Sequence, residues 1–232
     1  MKINITIPET LNEITLYQYQ RFEKLISNNE PSDFVNQKTI EIFCNIELKD
    51  VARIRIAEVS EILKHINGLL QQKPKLTNTF KLGVYEFGFI PKLEDITSGE
   101  YIDLEGYLSD TQTLHKAMAV LYRPIKKEKF SLFKKKTKSL YTIEEYNKDS
   151  QDMAEVLKYM PLDVALGSML FFWTLLNDCV KGLADFIQSE VEQSEQAKNI
   201  LEKNGVGINH SMQQLREMYS ELMPLQKFQL PN

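Results

Sequence analysis

The residues best placed to do chemistry in this sequence are charged ones. "RPIKKEKFSLFKKKTK", Arg123 to Lys138, carries seven lysines and one arginine against a single glutamate, with Phe130, Leu132 and Phe133 interleaved. Cations in such a run suit phosphate oxygens or the carboxylates of an anionic partner, and aromatic side chains can stack on exposed bases. Arg123, Lys126, Lys127, Lys129, Lys134, Lys135, Lys136 and Lys138 are therefore the expected partner or nucleic-acid contacts. The plainer alternative is a solvated loop anchored by its aromatic residues. Upstream lies the opposite charge, in Glu94, Asp95, Glu100, Asp103 and Glu105. These lack the alternating oxygen ligands, central glycine and closing glutamate of a calcium loop. No histidine or nucleophile motif accompanies them to make paired carboxylates into acid–base machinery. They read either as a solvated, helix-capping stretch or as an acidic counter-surface for the lysine-rich run.

Other reactive residue types stand alone. Cys44 and Cys179 lie far apart, without a CxxC pattern, and are expected to be reduced, buried thiols. His65, His115 and His210 form neither HxxxH nor HExxH. GxSxG, GxxxxGK[ST] and GxGxxG are absent from the sequence. No catalytic residue, metal ligand, cofactor or small-molecule substrate is predicted, and the reading is non-enzymatic. A net charge of −4 gives no global basic field to gather nucleic acid. The start, "MKINITIPETLNEI", has no apolar signal region, so synthesis and folding in cytoplasm are expected.

The stretch "PLDVALGSMLFFWTLLNDCVKG", Pro161 to Gly182, raises the question of a membrane. Its uncharged core runs only from Val164 to Leu176, bounded by Asp163 and Asp178. A spanning helix needs about 20 apolar residues, so no membrane contact is expected. The run reads instead as a helix buried on most sides, with Leu166, Leu170, Trp173 and Leu176 on one face and Met169, Phe172 and Leu175 filling the other. Gly167 and Ser168 would let a neighbour come close. That neighbour is either the chain's own core or another subunit.

The elements that must position these residues follow from periodicity. Ile3, Ile5 and Ile7 alternate with polar residues and predict a short strand ended by Pro8. Helices follow over 12–27 and 32–46, the second capped by Ser32 with Phe34, Ile40, Phe43 and Ile46 inward, and a third over 57–72, after a short helical turn at 48–54. "TFKLGVYEFGFIPKL" alternates about Gly83 and predicts a β-hairpin packed through Tyr85, Phe87 and Phe89. Residues 94–110 read as acidic and turn-rich, and 110–124 as a helix stopped by Pro124. Helices are expected near 151–159 and over 161–188, with two more in the polar tail, separated by Gly205-Val206-Gly207. The fold class is mainly α: a multi-helix domain with a small β-hairpin and a short N-terminal strand. Its expected divisions are 1–75, a strand and helical subdomain; 76–188, the hairpin and central helices; and 189–232, a helical tail.

Two blocks carry a family resemblance. "YEFGFIPKLEDITSGEYIDLEGYLSDTQTLHKAMAVLYRPI" and "YMPLDVALGSMLFFWTLLND", with the early "ITLYQYQRF", resemble proteins of the morphogenesis modules of tailed bacteriophages, including crAss-like and related Bacteroidetes phages. The resemblance covers about a third of the chain and brings no site residues with it. It implies a non-enzymatic virion or assembly protein, located in the virion. Such a protein contacts other phage structural proteins and copies of itself, as a structural component of the head–tail connector or tail region. A tail assembly chaperone or packaged cargo protein is the alternative within this class. A DNA-binding accessory protein using the lysine-rich run is the alternative outside it, with nucleic acid a secondary partner.

Overall fold

In the computed structural model, residues 5–92, 95–126 and 141–193 are described. Helix α1 (Leu16–Asn28) begins where Thr15 and Gln18 cap each other: Gln18 N donates to Thr15 Oγ1 (3.2 Å) and Thr15 N to Gln18 Oε1 (2.9 Å). Ser32 caps α2 (Asp33–Cys44) as expected, accepting from Val35 N at 3.3 Å, and Asn45 ends it with φ 51°. A short α3 (Leu48–Val51) leads to α4 (Ile56–Leu70), which buries Ile62, Leu63, Ile66, Leu69 and Leu70. α2 packs on both α1 and α4, with Phe22 and Phe43 in ring contact at 5.2 Å.

Two expectations in this region change. Phe34 is 51% exposed, whereas Ile40 and Phe43 are buried as expected, with Val35, Thr39 and Ile42 on the same inner side and Ile46 half-buried. Residues 5–8 join no strand. Ile5 and Ile7 instead line a cavity of about 280 Å³ with Ile54, Ile62 and His65, and His65 Nε2 lies 2.9 Å from Pro8 O. Their alternation is answered by a helix rather than by a sheet.

The hairpin forms as expected. β1 (Thr79–Leu82) and β2 (Tyr85–Phe89) pair antiparallel with Phe80 opposite Phe87, and Gly83 supplies the turn with φ 58°. Phe87 and Phe89 are buried, whereas Tyr85 is 39% exposed. β2 also pairs with β3 (Tyr122–Pro124), giving an antiparallel sheet of order β1-β2-β3. Phe80 stacks on Phe87, and Tyr122 meets Phe80 and Phe89 edge-on. The helix before it, α6 (Leu114–Leu121), therefore stops short of Pro124, since Tyr122–Pro124 enters the sheet. α6 is the deepest helix of its region: of its eight residues only Lys116 escapes burial.

The stretch read as acidic turns contains α5 (Ser98–Leu108), packed on α6. Its start is a capping box, Thr97 with Glu100. α7 (Lys148–Leu157) also packs on α6. α8 (Leu162–Gln193) starts in a backbone clasp with the approach to α1: Leu16 N donates to Met160 O (3.0 Å), and Leu162 N to Ile14 O (2.8 Å).

These bonds lie within one compact unit that runs to Ser168, and a second begins at Met169. In the first, Leu162, Val164, Ala165, Leu166 and Ser168 of α8 are buried. A side chain at Gly167 would collide with the Lys75 carbonyl, so the close approach expected of Gly167 is made by the chain's own backbone. In the second, Met169, Phe172 and Trp173 are buried. The tail helices expected beyond residue 193, including Gly205-Val206-Gly207, lie outside the described residues.

Candidate functional site

Of the lysine-rich run, Arg123 to Lys126 are described, in and beside the sheet. Past Pro124 the chain stays extended: Ile125 N donates to Glu86 O (2.8 Å) and Lys126 N to Thr142 O (2.8 Å). On the return, Glu144 N donates to Pro124 O (2.9 Å), and Ile125 and Ile143 form an antiparallel bridge. Ile125 and Ile143 thus form a single bridge, with Lys126 and Thr142 beside it. The register of β2 with β3 sets their position: Phe87 lies opposite Pro124, so Lys126 comes level with the start of β2. Lys126 lies at the end of the sheet that carries the hairpin turn, where Val84 is 88% exposed. An open cavity of about 750 Å³ lies there, lined by Lys81, Val84, Tyr85, Ile125, Lys126 and Met153 together with Glu86 and Glu144. Lys126 Nζ is exposed, 3.9 Å from Glu145 Oε1. Lys127, Lys129, Lys134, Lys135, Lys136 and Lys138 lie outside the described residues.

Arg123 belongs to a different environment. It points inward from β3, and its Nη1 donates to Glu100 Oε1 at 2.8 Å, with both side chains at or below 10% exposure. Glu100 Oε2 accepts from Thr97 N (2.7 Å) and Thr97 Oγ1 (2.8 Å), so one carboxylate serves both the α5 cap and the sheet. Burial draws the Arg123 pKa below its ordinary value, with Glu100 pulling the other way. Arg123 and Glu100 are therefore an internal pair, not members of facing surfaces.

The remaining acidic residues scatter. Asp103, one turn along α5, accepts from the Tyr146 hydroxyl at 2.8 Å. Burial, and after it Asp103, raises the Tyr146 pKa. Asp95 is 3.9 Å from Lys92, Glu105 is exposed, and Glu94 lies outside the described residues. Among the described residues, the acidic and basic stretches pair through one buried bond, Arg123 to Glu100.

The isolated histidines and cysteine fall into structural places. His65 meets the Pro8 carbonyl, His115 is buried between α1 and α7, and His210 lies outside the described residues. Burial pushes the Cys44 thiol up to about 11, which holds it protonated and unreactive at neutral pH. The side chain of Cys179 lies outside the described residues. Among the described residues, no cluster of three or more His, Cys, Asp or Glu side chains is placed to hold a metal ion, and no helix is long and apolar enough to cross a membrane.

Sequence reasoning missed Thr97, Tyr146, Gln20 and Glu23 as polar partners. Only Thr97 had a usable signal, the T-x-x-E of "TSGE", masked by two glycines in the α5 stretch. The chain matches no family model, no curated protein and no solved structure.

Proposed function

We propose that this chain is a non-enzymatic tailed-phage virion or assembly protein acting through protein–protein contacts, as a structural component of the head–tail connector or tail region. The observation that carries the reading is the paired, exposed backbone at Lys126 and Thr142, which flanks the basic stretch in the sequence. Lys126 and Thr142, joined by a backbone hydrogen bond, lie at the end of the sheet that carries the exposed hairpin tip, while Arg123 and Glu100 are tied to each other inside. The resemblance of 85–125 and 159–178 to phage morphogenesis proteins supplies the biological setting.

Burial of Arg123 bears on the DNA-binding alternative. It withdraws the one arginine from the run and leaves lysines, which meet phosphates as point charges and lack the bidentate fork that reads a guanine edge. Protein carboxylates suit lysines equally well.

Mass spectrometry of purified particles of the parent phage tests the structural reading. Presence of the chain in stoichiometric amounts is expected. Complete absence would leave the chaperone reading, and a monomer by light scattering would count against a ring component. Replacing Lys134, Lys135 and Lys136 by Gln should weaken co-purification with the particle. A salt-dependent loss of DNA affinity in the same variant, with particle incorporation intact, would instead favour the DNA-binding reading.

A further inference from the structure

A polar junction ties α1 to the region of α6, and no function discussed so far uses it. Gln20 of α1 is 4% exposed and His115 of α6 is 5% exposed. The Gln20 amide nitrogen lies 2.8 Å from Thr111 O, 3.1 Å from Gln112 O and 3.1 Å from His115 Nδ1. In return, Gln112 Nε2 donates to Gln20 O at 2.9 Å. Two amide hydrogens thus face three acceptors, an arrangement that is satisfied when Nδ1 carries no proton. The ring hydrogen then sits on Nε2, towards Glu155 Oε1 at 3.7 Å.

We propose that this junction is an acid-sensitive latch: protonation of His115 sets an N–H at Nδ1 against the Gln20 donor and releases α1 from the start of α6. The charged ring and the Gln20 amide would then compete for the Gln112 carbonyl, and a cation would occupy a dry site. Among the charges that act on the ring, two oppose the cation and one favours it, and the Gln112 carbonyl also favours it. Lys158, just past the end of α7, and Lys116 of α6 itself oppose the cation. Glu155 of α7 favours it, but Glu155 is 67% exposed and already holds Lys158 Nζ at 2.7 Å. From α1 and the 111–113 turn come only the neutral Gln20 amide and backbone carbonyls. Among the described residues, no charged group of α5 or β3, which also pack on α6, acts on the ring. Burial is the largest influence and lowers the His115 pKa from 6.5. One group on α1 works in the opposite sense: Glu23, buried with a pKa raised to about 7, takes up a proton when α1 closes. The latch is independent of the function proposed above.

The test isolates His115 by removing the Glu23 titration. Hydrogen exchange of the α1 amides is followed from pH 7.5 to 5 in full-length Glu23→Gln and in Glu23→Gln/His115→Gln, corrected for intrinsic exchange chemistry. In the first, the opening constant of α1 should rise about tenfold per pH unit below pH 6.5 until the ring titrates in the closed state. In the second it should stay flat. Equal slopes in the two chains, or no slope in the first, overturn the latch. Should either variant fail to fold, NMR of the unsubstituted chain decides. A His115 titration below pH 6.5, with the Gln20 side-chain amide signals moving at the same midpoint, supports the latch. A ring titrating at or above 6.5, or unmoved Gln20 signals, refutes it.

Discussion

Glu23→Gln should stabilise this protein, and by an amount that depends on pH. Glu23 lies on the inner face of α1 at 5% exposure, with Tyr19, one turn earlier, as its hydrogen-bonding neighbour. Its Oε1 has no hydrogen-bond partner among the described residues. Burial raises its pKa from 4.5 to about 7, against a smaller opposing pull from Tyr19. The folded chain therefore keeps this proton up to about pH 7, while the unfolded chain releases it near 4.5. The contribution to stability is full below 4.5, declines as pH rises towards 7, and is flat above. At about 1.4 kcal/mol per pKa unit, the total lost by pH 8 is about 3 kcal/mol. Glutamine keeps the shape and the acceptor for Tyr19 but has no proton to lose. The variant's advantage should grow from near zero at pH 4.5 to about 3 kcal/mol at pH 8, less the cost of any amide hydrogen left without an acceptor. Urea unfolding followed by far-UV circular dichroism between pH 5 and 8 measures it. An advantage that does not change with pH, or a variant weaker at pH 8 than at pH 5, would refute the reasoning.

Further outcomes follow from the packing. Arg123→Ala should cost about 3–5 kcal/mol in urea unfolding, because Glu100 is left buried without its cation; Arg123→Met with Glu100→Leu should cost far less. Gly167→Ala should cost about 1–3 kcal/mol, since the new methyl meets the Lys75 carbonyl, a backbone atom that cannot rotate away. Gly182→Ala is the control: it is helical with open space around it, so it should be neutral or stabilising by up to about 1 kcal/mol. Trp173→Ala removes a side chain that is 5% exposed and should cost about 3–5 kcal/mol. A folded variant that loses only self-association by light scattering would make that stretch a subunit contact instead.

Local patterns were enough for much of this fold. The capping serine at position 32, the 3.6-residue stripe of Ile62, Ile66 and Leu69, and the glycine turn of the hairpin are all decided within a few residues, so they can be read without knowing what packs on them. So can the failure of "VALGSMLFFWTLL" as a membrane span, which is a matter of length. What the sequence by itself could not show is the direction in which a charge faces. Arg123 looked like one more cation in a basic run, and Glu100 like one more member of an acidic one. Only the pairing of β3 with β2 turns Arg123 inward, and only α5, hidden behind Gly99 and Gly106, brings Glu100 to meet it. The same holds for Glu23, an ordinary helical glutamate until α1 is packed. Charge is a property of the residue, but its solvation belongs to the assembled chain, and solvation determines whether a charged group is a surface for partners or a strut in the core.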